Sequence, residues 1–370
     1  MVILPQLHKK LNFDTFRDFA PIALTGITQN TLIAAGIDYN DFMTTVPRVK
    51  VYWEDWCREW CATAAIHEKL AQEHAARGAS ISAAEANFQA ALGYHYACLH
   101  FIWDHSQYIP AHHKRVALYA KAAPHLDPPA ERHEVTFGAL RMPAYLRRPH
   151  RMSRPPVVIF VSGTDSTKEE HHSMENVFLR RGMATFSFDG PGQGETWFKA
   201  AMPVDFERST SAVIDYLSSL AAVDANRIGL YGQSLGGYLA TRSAAHDQRI
   251  KGCIASGGSY DRAFMLPHLE DPSQRGRHEQ LYKVTEWDEL VRIICASTME
   301  GMAQNIRCPL MVVHGTRDFV PLEHSERLVR EATGPTQLLV LEGGRHCSTN
   351  LAYRWRPLAG DFLAQHLRKA

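Results

Sequence analysis

Ser234 stands at the centre of Gly232-Gln233-Ser234-Leu235-Gly236, directly after the apolar run Arg227-Ile228-Gly229-Leu230-Tyr231. A strand that turns sharply into a helix holds its apical serine in strained backbone and lifts the hydroxyl into solvent. Flanking glycines let strand and helix pack closely beneath it. A serine hydroxyl is a weak nucleophile at neutral pH and needs a base within hydrogen-bond reach. Two downstream segments supply the partners: Cys308-Pro309-Leu310-Met311-Val312-Val313-His314-Gly315-Thr316-Arg317-Asp318 and Gln337-Leu338-Leu339-Val340-Leu341-Glu342-Gly343-Gly344-Arg345-His346. The first is expected to be a buried strand ending in a loop that carries Asp318, the second another strand-to-loop segment ending in His346. His346 is the expected base, with His314 and His324 as weaker alternatives. Asp318 is preferred over Asp261 as the orienting acid because its strand immediately precedes the one carrying the histidine.

An acyl-transfer intermediate places negative charge on oxygen, which preset donors must meet. The backbone N–H of Leu235 is one expected donor. The second is the N–H of Thr164, in the loop Ser162-Gly163-Thr164-Asp165-Ser166-Thr167. Asp165 and the neighbouring Lys168, Glu169 and Glu170 either shape the charge of the pocket or form a solvated helix start. Phe188-Asp189-Gly190-Pro191-Gly192-Gln193-Gly194-Glu195 is glycine-rich, yet it lacks the Gly-Lys-Ser/Thr ending of a phosphate loop. It is expected to be a tight turn beside the site. No metal is expected: Cys57 and Cys61 can share a helix face, but no second Cys/His pair follows at zinc-site spacing.

The elements that must position these residues change character near Leu126-Asp127-Pro128-Pro129-Ala130. Upstream, Val51, Trp53, Trp56, Cys57, Trp60, Cys61 and Ala64 recur at three- and four-residue steps, an amphipathic helical stripe. Ser82-Ala83-Ala84-Glu85 has the form of a capping box opening a helix through Phe88, Leu92, Tyr96, Leu99 and Ile102. A third helix is expected from His112 to Ala122. His95, His100, His105 and His113 are expected as packing histidines, with contacts from a substrate-covering cap as the alternative. From Glu131 strand and helix alternate, as a mostly parallel sheet requires. Strands are expected at 133–137, 144–146, 157–161, 184–188, 227–231, 252–255, 310–314 and 337–341, with helices including 204–220, 323–332 and 361–368. The expected organisation is a helical cap or accessory domain, 1–130, and an α/β catalytic domain, 131–370, with a charged lid insertion at 259–304.

Length and charge narrow the function classes. A chain of 370 residues with 45% hydrophobic content holds one large α/β domain plus an accessory segment. The net charge of +1 gives no electrostatic basis for nucleic-acid or anionic-membrane partners. No apolar run approaches bilayer-spanning length. Met1-Val2-Ile3-Leu4-Pro5-Gln6-Leu7-His8-Lys9-Lys10 lacks the order of a signal peptide, and seven cysteines without framework spacing fit a reducing cytoplasm.

The order serine, acid, histidine is that of the α/β-hydrolases. Within them the chain resembles the branch of 2,6-dihydroxypseudooxynicotine hydrolase and its esterase-like relatives, including fungal polyketide-shortening hydrolases. The resemblance is carried by Ser166-Thr167-Lys168-Glu169-Glu170, Met174-Glu175-Asn176, Arg181-Gly182-Met183-Ala184-Thr185, Phe188 to Glu195, Ser234-Leu235-Gly236-Gly237 and Gly344-Arg345-His346-Cys347. It implies an eight-stranded α/β-hydrolase fold, no cofactor, a small-molecule substrate, a helical N-terminal cap and a homodimer. It implies Ser234, Asp318 and His346 as the triad and an extra acid near the substrate, for which Asp261 and Glu270 are the positions in question. The implied reaction is hydrolysis of a carbon–carbon bond beside a ketone, with carboxylester or amide hydrolysis as the alternative.

Overall fold

A computed structural model describes residues 27–50, 52–99 and 104–368. The N-terminal decapeptide, Val51, His100 and Ile102 lie outside the described residues, as does the side chain of Trp53. The chain divides into two compact units. One comprises Met1–Glu131 with His268–Gln280, the other Arg132–Pro267 with Leu281–Ala370.

The first unit is helical: α1 (Ile27–Ala35), α2 (Tyr39–Thr45), α3 (Tyr52–Ala76), α4 (Ser80–Ala97) and α5 (His105–Ala122). The expected stripe on α3 is an inward face: Trp56, Cys57, Trp60 and Ala64 are buried, with Cys61 at its margin. Trp56 Nε1 donates to the Tyr96 carbonyl at 2.8 Å, tying α3 to α4. The expected capping box does not form. α4 opens three residues earlier, after Gly78 turns with φ +73°, and its N-cap is Ala79, with no side-chain cap. Ser82 therefore sits inside the first turn. α5 begins seven residues before the expected His112, capped by Asp104 accepting from Ser106 N–H. Pro110 lies within it, just past the first turn, and its missing N–H removes one ladder bond. His95 and His112 are buried, while His113 is exposed.

The second unit carries the sheet. Its strands are β1 (Ala130–Phe137), β2 (Leu140–Arg147), β3 (Pro156–Val161), β4 (Ala184–Phe188), β5 (Asp224–Gln233), β6 (Ile250–Ser256), β7 (Leu310–Gly315) and β8 (Thr336–Leu341). The order is β1-β2-β4-β3-β5-β6-β7-β8, with β2 antiparallel to β4 and parallel pairing from β4 through β8. β3 and β4 are buried along their whole length, the signature of parallel strands covered on both faces. The connecting helices are α6 (His172–Leu179), α7 (Glu207–Ser218), α8 (Leu235–His246), α10 (Trp287–Ala296), α11 (Leu322–Glu331) and α12 (Ala352–Arg368), with α9 (Pro272–Tyr282) spanning the division between the units. α12 starts nine residues before the expected 361, continuing through Pro357. The chain visits β4 from β3 and then crosses to β5 on the other side. The C-terminal ends of β3 and β5 therefore flank a topological switch point, where open α/β sheets form their ligand crevices.

One side of the sheet packs Val158, Phe160, Tyr231, Ile254 and Val313 against Phe178 of α6 and Trp355 and Leu363 of α12. Trp355 Nε1 also donates to the Ser348 carbonyl at 3.0 Å, so the same core anchors the loop that carries His346.

Candidate active site

β5 ends at Gln233 and α8 begins at Leu235, leaving Ser234 alone at the turn with φ 57° and ψ −128°. That conformation is costly for a residue with a Cβ, and surrounding structure must hold it. Here Ser234 N–H donates to Ser256 O of β6 at 2.8 Å, and Ser234 O accepts from Gly237 N–H at 2.9 Å. A Cβ on Gly232 would lie 2.0 Å from the Gly236 carbonyl oxygen, so the turn closes only with glycine there.

The structure brings Ser234, His346 and Asp318 together. Ser234 Oγ and His346 Nε2 lie 2.8 Å apart, a bond in which the serine donates when the imidazole is neutral, and His346 Nδ1 donates to Asp318 Oδ1 at 2.8 Å. The carboxylate is held by two further donors: Val320 N–H on Oδ1 at 3.0 Å and Cys347 N–H on Oδ2 at 3.2 Å. Cys347 and Ser348 both have positive φ, the backbone form that turns the Cys347 N–H back to the acid. Burial alone raises the Asp318 carboxyl, but the charge and hydrogen bond of His346 hold it below the ordinary carboxylate range. Burial alone lowers His346, yet neighbouring Cys347 and Asp318 outweigh it and push the imidazole up to about 10.

The alternatives go elsewhere. Asp261 accepts from Ala263 N–H at 2.6 Å and pairs across an isolated bridge with Thr298, rather than reaching His346. His314 shares a buried hydrogen bond with Ser325 Oγ at 2.9 Å, and burial lowers its pKa. His324 Nδ1 accepts from the N–H groups of Tyr260 and Asp261 at 3.1 and 3.2 Å. Glu270 is exposed at the end of a short 3₁₀ segment, Ala263–Glu270, and falls in the helical unit.

Leu235 opens α8 beside the serine, and the loop after β3 lies against it: a Cβ on Gly163 would stand 3.4 Å from Ser234 Cβ. Thr164 and Asp165 follow, both half-buried. Sequence reasoning missed what sets this loop. Gln193 Nε2 donates to Ser162 O at 2.7 Å, and Gln193 Oε1 accepts from Gly190 N–H at 3.2 Å. The glycine-rich turn after β4 thus braces the loop after β3. Beneath it, Lys168 is no part of a solvated helix start. Its buried ammonium lies 2.5 Å from Glu169, 2.8 Å from Asp189 and 2.7 Å from Glu195. Burial alone lowers the pKa of Lys168, but Asp189, Glu169 and Glu195 raise it well above the ordinary value. Among the described residues these three carboxylates are the ones close enough to hold a metal ion, and the lysine already supplies their positive charge. No helix among the described residues is long and apolar enough to cross a membrane.

A serine polarised by an imidazole, with the imidazole oriented by a buried carboxylate on a mostly parallel sheet, can attack a carbonyl and shuttle its proton. Fold and site together define a hydrolase of the α/β-hydrolase class. Comparison with known proteins narrows this. Residues 31–268 match the esterase FrsA-like family and residues 171–370 the prolyl oligopeptidase family. The chain belongs to the FrsA-like esterase family of α/β-hydrolases. It is 38% identical over 335 residues to 2,6-dihydropseudooxynicotine hydrolase of Paenarthrobacter nicotinovorans, covering 90% of this chain and 89% of that protein. It is 33% identical over 282 residues to 20-hydroxy-prefusarin hydrolase of Gibberella moniliformis, covering 72% of this chain and 66% of the relative. The crystal structure of 2,6-dihydroxy-pseudo-oxynicotine hydrolase superposes with a TM-score of 0.84 at 36% identity, covering 92% of this chain and 96% of that one.

Proposed function

We propose that Ser234, His346 and Asp318 are the nucleophile, the general base and the orienting acid of a carbon–carbon bond hydrolase. Its substrate carries a ketone beside an aromatic or polyketide-like group. The observation that carries the reading is the unbroken chain of hydrogen bonds from Ser234 Oγ through His346 to Asp318, each 2.8 Å long. The preference for a carbon leaving group is supported by the likeness to 2,6-dihydropseudooxynicotine hydrolase along most of both chains.

In this reading Ser234 Oγ bonds to the ketone carbon as its proton passes to His346 Nε2. The oxyanion is met by the N–H groups of Leu235 and Thr164. Collapse breaks the carbon–carbon bond, and its electron pair takes the proton back from Nε2. Water, activated by the same imidazole, then releases the acid. No cofactor enters. A carbanion leaves only if it is delocalised, which a hydroxylated ring or a β-diketone provides. The FrsA-like match favours a second reading, hydrolysis of a carboxylic ester, whose leaving group needs no such help. Matched aryl-ketone and aryl-ester panels test the order: acid release from the ketone supports carbon–carbon cleavage, and rapid ester turnover with inert ketones reverses it.

The same reading takes 1–130 as an accessory domain, 131–370 as the catalytic domain, and the enzyme as a cytoplasmic homodimer. Light scattering coupled to size exclusion checks the last point; a monomer at working concentration refutes it.

A further inference from the structure

We propose that the rings of Phe319 and Phe264 form a shelf for an aryl leaving group, so that the site selects substrates whose departing half is a planar aromatic ring. The inference rests on the roles given above to Ser234, His346 and Asp318. Phe319 follows Asp318 directly, and its ring centroid lies 4.3 Å from that of the His346 imidazole, tilted by 39°. The ring is nonetheless 44% exposed, a large apolar surface beside a polar triad. Phe264, from the loop after β6, extends it: the two rings are stacked at 6.3 Å and 27°. Phe264 meets the edge of His324 at 5.1 Å, and His324 is fixed by the backbone N–H groups of Tyr260 and Asp261. Phe264 therefore packs against a side chain that main-chain donors hold in place.

Chemistry assigns the shelf to the leaving group rather than to the acyl half. The atom that departs must take its proton from His346 Nε2, so it lies within roughly 2.6–3.2 Å of that nitrogen. The acyl half stays bonded to Ser234 Oγ, beside Leu235 and the loop after β3. A ring attached to the departing atom, or a ring carbon that is itself the departing atom, comes to lie next to the imidazole. There it is within the roughly 4.5–7 Å centroid range at which aromatic rings attract, measured to a phenylalanine already packed on that imidazole. The electron-rich faces and positive edges of Phe319 and Phe264 favour an offset or edge-on partner ring. An alkyl leaving group would gain only contact area.

The test uses the full chain and two phosphonylating probes that share one alkylphosphonyl group and differ in leaving group, fluoride or 4-nitrophenolate. Both report attack by Ser234 whether the natural bond is an ester or a carbon–carbon bond, and intact mass gives the rate. In Phe319→Leu the ratio of aryl-probe to fluoride-probe rates is expected to fall about three- to tenfold, and in Phe264→Leu by less. Phe319→Trp, which keeps a ring against the imidazole, is expected to restore the ratio. An unchanged ratio in both leucine variants overturns the proposal, including the case where both rates fall in parallel because Phe319 merely supports His346. Failure of both probes to label the unmodified chain overturns the serine-hydrolase reading itself, whereas fluoride-probe labelling with an inert aryl probe overturns the shelf alone.

Discussion

Replacing Asp318 with asparagine removes one negative charge and puts an NH₂, a donor, where one of two acceptor oxygens was. The carboxylate accepts three hydrogen bonds: His346 Nδ1 and Val320 N–H on Oδ1, and Cys347 N–H on Oδ2. An amide cannot accept on both ends. With its oxygen toward His346 and Val320, its NH₂ faces the Cys347 N–H, leaving a buried donor without a partner at a cost of roughly 1–3 kcal/mol. Flipped, the NH₂ faces His346 Nδ1 and selects the tautomer with hydrogen on Nε2, which cannot take the proton of Ser234. In chymotrypsin-type triads the wrong tautomer costs about 10⁴-fold in turnover, and a loss of that order is expected here. The assay is the rate of fluorophosphonate labelling at Ser234, with thermal unfolding run in parallel. The pH profile adds a second readout. The proposed reaction needs neutral His346, whose pKa is pushed up to about 10, so labelling of the unmodified enzyme is expected to rise with pH toward that value. Without the carboxylate the limb moves to lower pH. Because the folded pKa of His346 lies above its unfolded value, the stabilisation is complete below the ordinary imidazole pKa of about 6.5. It is lost as pH rises through the folded value. The variant lacks that loss. A labelling rate within about tenfold of the unmodified enzyme, with an unmoved pH limb, would refute the assignment of Asp318 as orienter.

Two further perturbations test the frame around the site. Lys168→Met leaves Glu169, Asp189 and Glu195 crowded without their buried cation. A loss of about 3–5 kcal/mol is expected in denaturant titration at neutral pH. Mutual repulsion and burial then raise the folded carboxyl pKa values, so the deficit should shrink as pH falls; a deficit independent of pH would refute the charge argument. Gly232→Ala sets a Cβ 2.0 Å from Gly236 O and 2.9 Å from Ala240 Cβ, where only backbone can yield. We expect at least the roughly 1–3 kcal/mol of an overpacked core, together with slower labelling because the turn under Ser234 must open. Full stability and full labelling would show that the turn is looser than the structure has it.

The middle of the sheet was legible because parallel strands buried on both faces, such as β3, β4 and β7, appear as short, nearly unbroken apolar runs; each of the eight strands overlaps its expected stretch. The order of residues 234, 318 and 346 was legible because each follows the C-terminal end of a strand. Helix limits were not. α5 and α12 each continue through a proline, Pro110 and Pro357, that lies just past the first turn and costs one ladder bond. Ser82 and Glu85 matched a cap by spacing, but the turn at Gly78 had already started α4. Pairings distant in sequence carried no local signal. Lys168 meets Asp189 across 21 positions, and Gln193 braces Ser162 across 31. Charge run and glycine-rich turn were both visible, but only the fold shows that one lies under the other. Phe319 was passed over because a phenylalanine after an acid has no periodicity to mark it.

The electrostatics of His346 bear on which bond it helps to break. Asp318 and Cys347 favour the protonated imidazole, so the proton of Ser234 is accepted readily once the serine attacks. The same stabilisation makes the imidazolium a reluctant donor in the second half of the step. A reluctant donor suits a leaving atom that is strongly basic at the moment of departure and serves a weakly basic one less well. A phenolate can leave an ester with the proton following late. A ring carbon or enolate carbon must be protonated as the bond breaks, and its basicity as a carbanion matches an imidazolium that holds its proton firmly. If the pairing is correct, weakening the hold of Asp318 should cost ketone cleavage and ester cleavage differently. Asp318→Glu keeps the charge but shifts it from His346 Nδ1; serine attack weakens on both substrates while the imidazolium becomes a readier donor, so ester turnover is expected to fall more than ketone turnover by about tenfold, about 1.4 kcal/mol of transition-state stabilisation. Equal losses on both substrates would show that proton delivery does not distinguish them.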